Sequence, residues 1–240
     1  MLKPACLGLS FLGLSCGLVL PPPARGVDGP SRATVVELYT SEGCSSCPPA
    51  EAQIGKLAKQ DGIIALAFHV DYWDSLGWRD RFGLPEAAAR QRQYAHALNL
   101  ATVYTPQLVI DGQRDMVGGG DGIGASSGKK PGVPLEISVQ NNNVVVALAV
   151  QQQRPGPCDV LLLGYLPEAV SKVTRGENAG HELHEFNIVR SVHKLGHWQG
   201  EGETFSVPLT ALTADTTGVV VLVQQSDQGP IIGAASRLVR

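Results

Sequence analysis

The 240-residue sequence lacks a charge excess of either sign. Nineteen Lys and Arg stand against 22 Asp and Glu, a formal net charge of −3. A nucleic-acid partner calls for a basic face, and this balance gives no reason to expect one. No internal repeat is apparent. No H-E-x-x-H occurs, so the zinc-protease geometry is missing. Long apolar runs are absent apart from one at the N-terminus, and cysteine is scarce, with five in all.

That one run, Ala5 to Leu20, follows a single lysine and ends in prolines and Ala24-Arg25-Gly26. It is too short and too punctuated for a membrane span and reads as a signal peptide over residues 1–26. An uncleaved anchor and a lipoprotein with lipidated Cys16 are the alternatives, and all three imply export, to the periplasm or as a secreted protein. Cleavage removes Cys6 and Cys16 and leaves Cys44, Cys47 and Cys158. In an oxidising compartment three cysteines make one pair and one spare. The pair is Cys44 with Cys47, the two close in sequence. So small a loop closure stabilises little, which argues against a purely structural staple.

What is present reads as two regions. Thr34–Thr40 (TVVELYT) has the character of a buried strand, and Ala50–Gln60 is helical, with Ile54, Leu57 and Ala58 on one stripe. Ile63–Val70 (IIALAFHV) is a continuous apolar run, as in a parallel strand buried on both faces. The segment FHVDYWDSLGWRDRF reads as a loop or short helical turn. A helix is expected from Pro85 to Asn99, and a hairpin after Tyr104 turns at Asp111-Gly112. Gly118–Gly132 is glycine-rich, a linker or degenerate last helix. Beyond it LEISVQ, VVVALAV, CDVLLLGYL, FNIVRSVHKL, TFSVPL, VVVLVQQ and IIGAASRLVR follow at sandwich spacing. The expected fold class is α/β plus β. The expected units are a thioredoxin-like domain over 32–118, the Gly-rich stretch over 119–133, and a β-sandwich-like domain over 134–240.

The stretch EGCSSCPP joins the first strand to the first helix. Unpaired N–H groups and the dipole at a helix N-terminus favour a thiolate. Pro48 and Pro49 belong in a first turn and set the helix start at or just before Cys47. This arrangement points to a dithiol–disulfide couple, with Cys44 the accessible nucleophile and Cys47 the buried resolving thiol. Ser45 and Ser46 add no charge.

VVELYTSEGCSSCPPAE, AFHVDYWDSLGWRDRF, RQRQYAHAL, YTPQLVIDG and RGENAG…NIVR together resemble the secreted family called domain of unknown function 1223. Residues 34–118 look like a thioredoxin-like domain. The resemblance implies a redox role for Cys44 and Cys47. It implies a cis bond at Thr105-Pro106, with Pro106 against the pair and Thr105 lining a substrate groove, and a carboxylate near Glu37 that exchanges a proton with the resolving thiol; a solvent-facing or loop-bonded glutamate is the other reading of Glu37. The family's name implies no substrate.

Further candidates are His69, Asp71, Tyr72, Trp73 and Asp74 at the end of a strand, where α/β sites gather. Asp71 and Trp73 are expected to border the groove, or to belong to a packed aromatic cluster. His181, His184, His193 and His197 have spacings that suit a transition metal, yet read better as surface histidines. Cys158 reads as a small buried hydrophobe. The expected activity is thiol–disulfide exchange on protein thiols or disulfides, with no dissociable cofactor and no metal. A copper chaperone and a non-catalytic binding module are the other two classes.

Overall fold

The computed structural model describes residues 31–120 and 130–240. The signal segment, with Cys6 and Cys16, and residues 121–129 of the Gly-rich stretch lie outside them.

In chain order the elements are β1 (Ser31–Arg32), β2 (Thr34–Thr40), α1 (Pro48–Leu57), β3 (Ile63–His69), α2 (Pro85–Ala97), β4 (Gln107–Ile110), β5 (Arg114–Val117) and β6 (Lys130–Pro131). Then come β7 (Leu135–Gln140), β8 (Asn143–Leu148), β9 (Cys158–Lys172), β10 (Glu182–Trp198), β11 (Glu203–Pro208), β12 (Gly218–Gln225) and β13 (Ile231–Leu238). Eight strands form one mixed sheet in the order β13-β12-β9-β10-β3-β2-β4-β5, and β11-β8-β7 form a second.

This overturns the expected division into a thioredoxin-like domain and a separate β-sandwich. The chain is mostly β, and the large sheet passes without a break from the N-terminal to the C-terminal half. The join is the parallel pair β3–β10, registered at Ala67 and Ile188, with Asn187 Nδ2 donating to Ala65 O at 2.8 Å. One core runs across it. Val35, Tyr39, Phe68 and Tyr94 pack with Leu161, Leu163, Val220, Leu222 and Ile231. On β9, Leu161 and Leu163 serve this core while Val160 and Leu162 face the three-stranded sheet. β12 divides in the same way, with Val220 and Leu222 on one side and Val219, Val221 and Val223 on the other. Two-residue alternation lets one strand line two cores, so the sandwich shares its strands with the helix-covered sheet.

Helices cover both faces of the N-terminal strands. Val36 and Leu38 of β2 pack on Ala50, Ile54 and Leu57 of α1. Val35 and Tyr39 face Ala87, Ala88 and Tyr94 of α2. A buried network ties α2 to both halves. Arg90 donates to Glu37 Oε1 at 2.8 Å, to Tyr94 Oη at 3.0 Å and to Gln224 Oε1 of β12 at 2.8 Å.

Glycine lets α1 lie close on β10. A Cβ at Gly55 would stand 2.7 Å from the ring of Phe186, and a buried overlap of this kind costs about 1–3 kcal/mol. Gly55→Ala is expected to lower the midpoint of urea unfolding accordingly. An unchanged midpoint would mean that α1 can move away freely.

Candidate functional site

β2 ends at Thr40 and the chain turns tightly before α1. Ser41 O accepts from Cys44 N at 3.1 Å, and Cys44 O accepts from Cys47 N at 3.2 Å. Cys47 is the N-cap of α1, with proline at the next two positions, as the sequence requires. Its carbonyl accepts from Ala50 N and Glu51 N. The turn brings the Cα atoms of Cys44 and Cys47 to 5.4 Å, and the two form a disulfide. Ser46 Oγ lies 3.4 Å from Cys44 Sγ.

Cys44 is not the accessible thiol that the sequence suggests. It is 0% exposed and Cys47 1%, while Ser45 and Ser46 face solvent. The cover is the tip of the long β9–β10 hairpin, which holds the RGENAG stretch. Asn178 Nδ2 donates to the carbonyls of Glu42 and Cys44 at 2.9 and 3.0 Å. Glu177 Oε2 accepts from Ser45 N at 3.1 Å and Ser45 Oγ at 2.6 Å, which holds its carboxyl below the ordinary range. Gly176, at φ +75°, packs against Cβ of Trp78, and Trp78 Nε1 donates to Glu42 Oε2 at 2.6 Å. A segment 132 to 136 residues away in sequence is therefore bonded to the cysteine turn, which no local pattern could reveal.

The other predicted residues divide. The Thr105-Pro106 bond is cis. Trp73 Nε1 donates to Thr105 Oγ1 at 2.9 Å, and a Cβ on Gly43 would meet Trp73 Cβ at 3.2 Å. Trp73 thus links the cysteine turn to Thr105. Pro106 packs beside Gly118, which itself rests on Ala50 in the first turn of α1. Asp71 does not join them. It borders a separate polar depression with Asp74, Arg79 and Asp80. Glu37 is also displaced from its expected role. It is fully buried against Arg90 and Tyr94. Its neighbours Val36 and Leu38 face α1, so alternation turns Glu37 to the α2 side, away from the cysteine helix.

On the α1 side the structure supplies different ionisable groups. A cavity of about 350 Å³ is lined by Cys47, Glu42, Glu51, His69, Glu185 and Phe186, among others. His69 Nδ1 lies 2.8 Å from Asp80 Oδ2, and its Nε2 lies 3.7 Å from Glu51 Oε1. Burial works against a charged imidazole, but the charge and hydrogen bond of Asp80, with Glu51 and Glu185 beyond, raise its pKa to about 10. Burial pushes the Glu185 carboxyl up to about 8 and also raises Glu51. Of this set the sequence pointed only to His69. The four-residue step from Cys47 to Glu51 is the signal that puts Glu51 one helical turn from the motif, on the same face.

These shifts have one sign for stability. Glu185 and His69 both bind a proton more tightly folded than unfolded, so their contributions are complete at low pH. That of Glu185 is lost as pH rises from about 4.5 to 8, and that of His69 from about 6.5 to 10. The melting temperature is expected to fall steadily from pH 6 to pH 10. Glu185→Gln should flatten the part below pH 8, and a melting temperature that rises across this interval would contradict the assignment.

The histidine cluster does not assemble. His184 is exposed and lies 3.7 Å from Glu182, while His197 is exposed and pairs with Asp159 at 2.8 Å. Among the described residues no three of His, Cys, Asp and Glu converge as metal ligands. Cys158 is buried and free, and burial pushes its thiol up to about 11. Among the described residues no helix is long and apolar enough to cross a membrane.

The geometry defines a mixed-sheet, mostly β protein that holds a covered Cys-x-x-Cys disulfide beside an acidic cavity. The chain belongs to the family described as protein of unknown function (DUF1223), whose model matches residues 35–224. The match runs from β2 to β12, across the boundary the sequence had suggested. A protein of Agrobacterium tumefaciens, solved by X-ray crystallography, is similar over 87% of this chain and 95% of its own, at 29% identity and a TM-score of 0.74. HBP35 of Porphyromonas gingivalis is similar in fold, over 88% of this chain and 76% of its own, at 13% identity and a TM-score of 0.59. No protein of curated function matches the chain in sequence.

Proposed function

We propose that Cys44 and Cys47 form a thiol–disulfide exchange couple acting on protein thiols or disulfides after export from the cytoplasm. The supporting observation is the bridged pair at the N-cap of α1, set in a loop that closes too few residues for a stabilising staple. When the oxidised protein acts, a substrate thiolate attacks one sulfur of the disulfide and a mixed disulfide forms. The substrate's second thiolate then attacks the mixed disulfide. The substrate leaves oxidised, and the protein keeps two electrons and two protons as a dithiol. The reverse sequence, begun by Cys44 and resolved by Cys47, reduces a substrate disulfide. Thr105, Pro106 and Trp73 border the groove in this reading.

Cys47→Ala in the exporting cell is expected to accumulate mixed disulfides through Cys44 that dissolve on reduction. Purified protein is expected to reduce insulin with a thiol as electron source, and Cys44→Ser to lose that activity. No trapped partner and no Cys44-dependent turnover would refute the proposal.

A further inference from the structure

The cavity beside Cys47 has the size of a small-molecule site, and several polar atoms of the residues that line it are left unpaired. Glu42, Glu51 and Glu185 line it, each at most 5% exposed. Among the described residues, both carboxyl oxygens of Glu51, Oε1 of Glu42, Oε1 of Glu185 and Nε2 of His69 have no hydrogen-bond partner. Thr40 and the Phe186 backbone approach Glu51 without reaching hydrogen-bond geometry. A buried acceptor without a donor costs stability, more so if charged. Three such carboxyls around one space call for a shared donor.

Among the described residues, the protein's own cations do not meet this need. His69 commits Nδ1 to Asp80 and stays 3.7 Å from Glu51. Arg81 approaches Glu42 only to 3.6 Å, with half its side chain in solvent. Lys56 and Lys59 stand exposed at the rim. Burial raises Glu51 and Glu185 even against the nearby charge of His69, which lowers both.

We propose that this cavity binds an alkylammonium or guanidinium group, carried by a free amine or by a lysine or arginine side chain of a peptide. Such groups spread several N–H donors over separate acceptors. A bare metal ion needs ligands that converge, and among the described residues they do not. The apolar stem of the ligand has its own wall in Pro48, Gly55, Leu183 and Phe186. Binding requires only the oxidised protein as it stands, so it does not depend on the disulfide being exchanged.

Calorimetric titration of the oxidised protein with agmatine tests this. One saturable site is expected, while glutarate, of opposite charge, gives none. Affinity should fall at least tenfold in Glu51→Gln. It should fall as far in Ala52→Trp, which plugs the cavity from an exposed rim position of α1 and so keeps the test valid if the buried variant fails to fold. Gly-Arg-Gly amide separates the sources. Binding of agmatine alone assigns the site to free amines, and binding of the peptide assigns it to a basic side chain. No saturable binding of either probe, or undiminished affinity in either folded variant, overturns the proposal.

Discussion

Arg90→Met is expected to cost about 3–5 kcal/mol of unfolding free energy, the usual consequence of leaving a buried charge without its partner. Arg90 and Glu37 are both buried, and the guanidinium is held charged by Glu37 despite its burial. Removing it strips the Glu37 carboxylate of its counter-ion, and Gln224 of β12 loses a donor in the same step. Because the network joins α2, β2 and β12, unfolding of both halves should remain one transition at a lower denaturant concentration. The double variant Arg90→Met/Glu37→Leu removes the stranded charge as well, and should recover much of the loss. Chemical denaturation followed by tryptophan fluorescence measures all three proteins. A cost below about 1 kcal/mol for the single variant, or no recovery in the double, would show that the pair is not what fastens the halves together.

Asn178→Ala is expected to speed reduction of the Cys44–Cys47 disulfide by dithiothreitol about tenfold or more. Both cysteines are buried and the hairpin tip is pinned to the backbone around Cys44, so the rate is expected to follow how often the tip lifts. Asn178 is buried and supplies two neutral hydrogen bonds to the cysteine turn. At about 0.5–1.5 kcal/mol each, their loss moves the opening equilibrium by roughly one to two powers of ten. Glu177→Gln should act in the same direction but less, since that contact is open to solvent. Stopped quenching and mass spectrometry give the rates. If Asn178→Ala reacts no faster than the parent, the tip is not what restricts access.

Much of the local structure was legible in the residues. Apolar runs marked β2, β3 and most C-terminal strands, and Pro48-Pro49 marked the start of α1. The runs in VLLL and VVVLV carried one further sign, because they are continuous and do not alternate. A strand of a two-layer sandwich buries one face and should alternate. β9 and β12 bury both, which is what a sheet shared by two cores demands. The glycine-rich stretch concealed this by looking like a domain boundary. Glycine content reports how freely a chain turns, and is silent on whether strands at either side of the turn later pair.

The candidate site divides on the same line. Cysteine spacing, the two prolines and the helix that follows are local, and adjacent residues alone determined the disulfide-capable turn. The face on which Glu37 lies, the roof supplied by Glu177 and Asn178, and the acidic cavity that brings Glu51, His69 and Glu185 together were decided by tertiary structure. Each depends on strands far apart in sequence meeting through backbone hydrogen bonds whose register no single segment encodes. The chain by itself determined that two cysteines would pair. The parallel docking of β10 on β3 decided what would lie against the pair, because it brings the tip of the β9–β10 hairpin to the cysteine turn, where Asn178 binds the Cys44 carbonyl.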